Sequence, residues 1–212
     1  MTTEPQSTKS VSPVVWWFAG VSGIVVLLDQ VTKYWAVANL TRAFDPIFGE
    51  PARSFGERLS RFLWTTNPTR ADPIIVFDDF WSFTYAQNPG AAWSFLATAP
   101  DWFRAPFFTI VSLAAMVFII YYFRRVPATN RWLRGALMLV FGGAVGNFLD
   151  RIRLGYVIDF IDWHYYEVYT WPTFNIADSA ITVGVIIMVA EMLFAKNHAA
   201  KMSPPASDEV KA

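Results

Sequence analysis

The sequence predicts a mainly α-helical integral membrane protein with four transmembrane helices. Three observations carry that reading. Only 16% of the 212 residues are charged, against about 25% in an average soluble domain. Four stretches are long and apolar enough for the roughly 20 residues that a helix needs to cross the hydrocarbon. Tryptophans stand near the ends of those stretches, at positions 35, 102, 132 and 171, where amphipathic rings favour the membrane interface. Acidic and basic residues balance at 17 each and form no basic stripe, so no nucleic-acid partner is expected. The absence of cysteine excludes disulfides, thiol catalysis and thiolate-bound metals.

Taken in order, a short tail, 1–13, precedes the first span, Val14 to Val37, which holds Asp29 and Lys33 late in its course. "AVA" at Ala36–Ala38 has the form of a leader-cleavage site. Those two charges and the length of the apolar run favour an anchor instead. A long segment, 38–103, follows. Inside it, "SFGERLSRFLW" (Ser54–Trp64) places Phe55, Leu59, Phe62 and Leu63 on one helical stripe. Arg58 and Arg61 flank the stripe, with Glu57 and Ser60 opposite. Such a helix lies in the membrane interface, the favoured reading, or packs as a satellite, with a disordered segment as the third alternative, and Asn67 and Pro68 are expected to stop it.

The second span, 104–123, is uncharged from Ala105 onward. The turn after it, 124–131, opens "RRVPATNRWLR", whose Arg124, Arg125, Arg131 and Arg134 are unaccompanied by any acid. That excess marks the cytoplasmic side. Both termini, including the tail 196–212, are then cytoplasmic, and the segments 38–103 and 150–174 face outward. The third span is 132–149. The fourth, 175–195, carries Asp178 near its start and Glu191 near its end.

This topology brings Asp29, Asn147, Asp150, Asn175 and Asp178 to one level, near the outer face. Helical spacing puts Asn147 and Arg151 on one face and Asn175 and Asp178 on another, so two polar ridges can meet across one site. Ionisable groups inside spans are costly and point to function. Two carboxylates close together in a poorly hydrated place share one proton; one then activates a water while the other polarises a carbonyl. Asp159, among Ile158, Phe160 and Ile161, and Asp178, in "NIADSAITV", have the apolar neighbours that suit such sharing. Each also has a bland reading, Asp178 as a helix cap and Asp159 as a turn residue. Asp150, followed by Arg151 and Arg153, reads as an ion-paired helix end, and Asp162 is ambiguous. His164 and His198 fall on opposite sides of the membrane and no HExxH is present, which disfavours zinc chemistry. A serine nucleophile has only His164 as a base and no elbow motif. The remaining classes are a proton-coupled transporter, which needs polar groups at several depths, and a noncatalytic membrane scaffold.

"LDQVTKYWA" (Leu28–Ala36), "NPGAAWSF" (Asn88–Phe95), "GNFLDRIRLGYVIDFID" (Gly146–Asp162) and "WPTFNIADSAI" (Trp171–Ile181) resemble the motifs of lipoprotein signal peptidase, also called signal peptidase II. The resemblance touches all four spans and leaves out the tails and most of 41–75. It implies an aspartic endopeptidase of the bacterial cytoplasmic (inner) membrane, with a small extracytoplasmic β-cradle and an active site near that face. The implied substrates are diacylglyceryl-modified prolipoproteins, cut just before the lipidated cysteine; membrane lipid is a further partner, and globomycin-type cyclic peptides are inhibitors. No metal or cofactor is implied. The catalytic pair carried over is Asp159 and Asp178, with Asp29, Asn88, Asn147, Arg151 and Asn175 as site-lining residues. Lys33 is expected to pair with Asp29 in a packing role, and Trp93 to pack against lipid, substrate or core. The long first segment departs from the family pattern.

Overall fold

A computed structural model describes residues 13–45, 54–90, 99–166 and 168–202. Trp93 and most of the tail charges lie outside the described residues. Four helices are long and apolar enough to cross a membrane. They are α1 (Pro13–Leu40), α3 (Asp101–Arg125), α4 (Arg131–Leu154) and α5 (Ile176–Met202). A shorter helix, α2 (Phe55–Trp64), lies between α1 and the sheet in the chain. The strands β1 (Ile74–Phe77), β2 (Trp81–Asn88), β3 (Val157–Tyr165) and β4 (Tyr169–Thr170) form one antiparallel sheet in that order.

Two of these features extend the sequence reading. The third spanning helix runs past Leu149, where the sequence predicts a loop, to Leu154. Its last turn is held by an Asp150–Arg153 ion pair of 2.9 Å. Gly155, at φ 81°, then closes the helix with its N–H on the Arg151 carbonyl, a left-handed conformation that only glycine adopts without strain. The segment after α4 is also more than a loop, because it supplies β3 and β4 to the sheet begun by β1 and β2.

Residues Val157 to Phe160 of β3 are all buried, which requires cover on both faces of the sheet. Ile158 and Phe160 point into a cluster with Ala36, Val37 and Leu40 of α1, Phe62 of α2, and Tyr85 of β2. Val157 and Asp159, out of phase by one residue, point the other way and line a cleft. The period of two along a strand therefore decides which side chains are core and which are available for chemistry.

The helix α2 forms where its stripe predicts, with the Ser54 side chain accepting from the Glu57 N–H at its N-terminus. It ends at Trp64, the last residue of the predicted stretch, ahead of Asn67 and Pro68. Phe62 is its buried anchor.

The central helix of the bundle is α4, which touches α1, α3 and α5. Its contact with α5 is close because glycines stand on both sides. A Cβ on Gly143 would collide with the Ala177 carbonyl and lie 2.7 Å from Ile181; one on Gly184 would lie 2.6 Å from Val140 and 2.8 Å from the Ala136 carbonyl. At the other end of these helices, Asn130 caps α4 and donates to Glu191 of α5 at 2.8 Å. Gly143→Val should therefore push α4 and α5 apart and lower stability by about 1–3 kcal/mol. Gly20→Ala, inside α1 at a position with nothing within 4 Å, should not lower it. Thermal unfolding of the two purified variants in one detergent checks the contrast.

Candidate active site

The last residues before α5 form a short bridge with β3: Phe174 accepts from the Phe160 and Ile161 N–H groups and donates to the Ile161 carbonyl. That bridge lays the N-terminus of α5 against the strand that carries Asp159. Asn175 caps α5 by accepting from the Asp178 N–H at 2.9 Å, and Asp178 accepts in return from the Asn175 N–H at 3.3 Å. This reciprocal arrangement holds the Asp178 carboxylate at the third helical position, near the positive end of the helix. The cap is Asn175, and Asp178 keeps its other oxygen free for a second partner.

That partner is Asn147 of α4, whose Nδ2 donates to Asp178 Oδ1 at 2.7 Å. Asp159 is gripped by two amides. Asn88 Nδ2 donates to Oδ2 at 3.0 Å and Asn175 Nδ2 to Oδ1 at 2.7 Å. Asn88 reaches it because β2 pairs with β3 in a register that sets Asn88 opposite Val157, two residues away along the same face. Arg151 donates to the Gly90 carbonyl at 3.2 Å and so ties α4 to the end of β2. Its Nε has no hydrogen-bond partner among the described residues. Asn88, Asn147, Arg151, Asp159 and Asp178 all line one cleft of about 710 Å³, together with Trp163, Trp171 and, on α5, Ile181 to Val183.

Two of the residues singled out in the sequence stand elsewhere. Asn175 is fully buried behind Asp159 and is not part of the cleft wall. Asp29 is also fully buried, and lies on the far side of Asn147 from the cleft. It accepts from the Ala177 N–H at 3.1 Å, so α1 supplies a carboxylate to the first turn of α5. Gly146 permits the approach, since a Cβ there would lie 2.6 Å from Asp29 Oδ2.

Lys33, expected only as a partner for Asp29, has three. Its ammonium lies 2.9 Å from Asp29, 2.8 Å from Asp150 and 3.0 Å from Asn147 Oδ1, and all three acidic and basic side chains have no exposed surface. The third contact matters to the site. By claiming the oxygen of Asn147, together with Asn175 Nδ2 at 3.0 Å, Lys33 leaves that amide only one orientation, with its donor toward Asp178. Asp150 is saturated by Lys33, Arg153, Gln30 and the Ile158 N–H. Gln30, which also donates to Asp29 and to the Gly146 carbonyl, was not singled out in the sequence. The only signal for it is its place in "DQVTK" beside Asp29. Asp162 pairs with Ser82 and His164 on the sheet, away from this network.

Burial, and secondarily the negative charge of Asp178, push the Asp159 carboxyl up to about 8, against the pull of the Asn88 and Asn175 amides. No group of three or more potential metal ligands occurs among the described residues. The arrangement can hold a water between two carboxyl groups and supply donors to a peptide carbonyl.

The family model described as signal peptidase II matches residues 21–194. The chain is 48% identical over 169 residues to the lipoprotein signal peptidase of Anaeromyxobacter sp. (strain Fw109-5), covering 78% of this chain and 79% of that one. It is 40% identical to the lipoprotein signal peptidase of Cellvibrio japonicus (strain Ueda107), covering 87% and 91% of the two chains. Among solved structures it is similar to a bacterial membrane enzyme determined by the in meso method at 2.3 Å resolution. The TM-score is 0.63 at 28% identity, over 93% of this chain and 96% of the other.

Three outcomes follow from the electrostatics. The unfolded chain gives up the Asp159 proton near the ordinary carboxylate value of about 4, whereas the folded protein holds it up to about 8. The stability that Asp159 contributes as a neutral group is therefore lost as pH rises across that window. Melting curves should show Asp159→Asn gaining on the wild type between pH 5 and pH 8.5, and a pH-independent difference would contradict the assignment. Lys33→Met takes from buried Asp29 its cationic partner and from Asp150 one of two, and should cost about 3–5 kcal/mol. Asp150→Asn should lower the melting temperature before it lowers activity.

Proposed function

This chain belongs to the signal peptidase II family, and we propose that Asp159 and Asp178 perform the hydrolysis as an aspartic dyad. The protein removes signal peptides from prolipoproteins. The observation that carries the dyad is that these two acids lie on the wall of one cleft, each fixed by amide donors from other elements. Two carboxyl groups so placed hold one proton between them. The carboxylate takes a proton from a water held in the cleft, and the water oxygen attacks the scissile carbonyl carbon. The protonated partner gives its proton to the carbonyl oxygen, producing a neutral tetrahedral diol. Collapse of the diol breaks the C–N bond, and a carboxyl proton passes to the departing nitrogen. Arg151 and Asn88 are at hand to orient the peptide backbone, and no metal or cofactor enters the scheme.

The cleft also supports lateral entry of a lipidated substrate. Its wall continues along α5 from Asp178 to Val183, about 7 Å toward the middle of the span at roughly 1.5 Å per residue. Val183 is exposed there, so the cleft meets the bilayer side of the bundle. We place the cut just before a diacylglyceryl-modified cysteine, whose chains stay in the membrane while the peptide reaches the dyad. The basic turn Arg124–Arg134 lies at the opposite end of α4 from Asn147 and Arg151. Positive charge inside supports a dyad near the extracytoplasmic face of the bacterial inner membrane, with both termini cytoplasmic. Globomycin-type cyclic peptides would occupy the same cleft. A transporter would need polar groups along its whole length. Here the acids near the dyad are satisfied at one end, and Glu191 at the other is engaged by Asn130.

Asp159→Asn and Asp178→Asn should each reduce turnover of a purified diacylglyceryl-modified prolipoprotein by at least about 10²-fold. Both variants should still express and fold. Wild-type turnover by either variant would refute the dyad. An unmodified precursor should be cleaved far more slowly, because burying acyl chain contributes about 0.8 kcal/mol per methylene.

A further inference from the structure

One exposed apolar feature is used neither by the cleft nor by the core. The C-terminal half of α2 is the part that is buried against the protein. Phe62 is 5% exposed, while Phe55, seven residues earlier on the same stripe, is 72% exposed, and Leu59 between them is partly so. Ten residues of helix are too short to persist alone in water, and Phe62 anchors only one end of it.

The level of α2 along the bundle can be read from its neighbours. Tyr34 of α1 contacts Phe55, with ring centroids 6.4 Å apart, and Phe62, at 5.5 Å. Trp16 and Trp17 near one end of α1 and Trp35 near the other are all exposed. They stand about 27–29 Å apart at roughly 1.5 Å per residue, close to the roughly 30 Å thickness of a hydrocarbon core. Trp35 thus marks one edge of the core, and Tyr34 is its neighbour. Leu27, Leu28 and Val31, just below on α1, are exposed apolar residues of a helix long enough to span. Phe55 therefore overhangs Tyr34 where a lipid-facing surface meets the interface. Glu57 and Ser60, on the opposite side of α2, are exposed and polar.

We propose that α2 is an interfacial membrane helix: Phe55 and Leu59 enter the acyl boundary of the leaflet at the active-site end of the bundle, while Phe62 fixes the helix to the protein. The occupant of this apolar face is lipid, because the face continues a lipid-facing surface at the depth of an aromatic belt. The anchor also reaches the catalytic network. The Arg153 guanidinium lies 4.4 Å above the Phe62 ring and pairs with Asp150, which pairs with Lys33.

The test uses the full-length protein in phosphatidylglycerol/phosphatidylethanolamine nanodiscs. Single cysteines in place of Phe55, Glu57, Leu59 and Ser60, in a chain that has no cysteine of its own, carry an environment-sensitive fluorophore. Labels at 55 and 59 should be blue-shifted, quenched by lipid bearing a nitroxide high on its acyl chain, and shielded from aqueous iodide. Labels at 57 and 60 should show the reverse. Iodide quenching at all four positions would overturn the proposal, and so would labels at 55 and 59 shielded from both quenchers, which would mean that protein covers the stripe. If a label at 55 disturbs the fold, the comparison of 59 with 57 and 60 separates the same outcomes.

Discussion

Lys33 is a cation with no exposed surface, and most of the site depends on how its charge is balanced. A lone ammonium in that position would be lost to desolvation. Two carboxylates from different turns of different helices, Asp29 and Asp150, make it tenable. Each of those is committed further: Asp29 to the N-terminus of α5, Asp150 to the last turn of α4 and to the backbone of β3. One buried charge thus ties α1, α4, α5 and β3 together. The third contact of Lys33 converts that tie into chemistry, because it fixes which end of the Asn147 amide faces Asp178.

The two aspartates of the cleft live under the opposite regime. Asp29 and Asp150 sit beside a permanent positive charge, whereas Asp159 is held by neutral amides and sits beside another acid. The neighbouring group therefore distinguishes the two sets, ion-paired carboxylates in one place and, as proposed for the cleft, a proton-sharing pair in the other. The separation is spatial as well. Asn147 stands between the sets, accepting from Lys33 on one side and donating to Asp178 on the other.

Much of this was legible in the sequence because it rests on local properties. Apolar length sets the spans, and the turn of four arginines distinguishes the two ends. The apolar flanks of Asp159 and Asp178, joined to the motifs around them, single out those acids from the other carboxylates. What stayed hidden depends on partners far away in the chain. Helical depth put Asp29 at the right level, but no periodicity says that it turns behind Asn147 instead of into the cleft. Nothing local to "NPGAAWSF" or "GNFLDRIRLGYVIDFID" indicates that β3 pairs with β2 from the segment before α3 and so hands Asn88 to Asp159. The stripe of α2 was readable; its grip on Tyr34 and under Arg153 was not, since those lie 28 and 91 residues from Phe62.

Everything proposed for the cleft requires that Asp159 and Asp178 together hold a single proton at neutral pH. Infrared difference spectroscopy on the full-length protein in bilayers measures it most directly, through the C=O stretch of a protonated carboxyl group and its shift in D₂O. One such band is expected at neutral pH in the wild type, absent from Asp159→Asn and lost as pH is raised past about 8. A spectrum with no protonated carboxyl at neutral pH, or a band unchanged by Asp159→Asn, would contradict the shared proton.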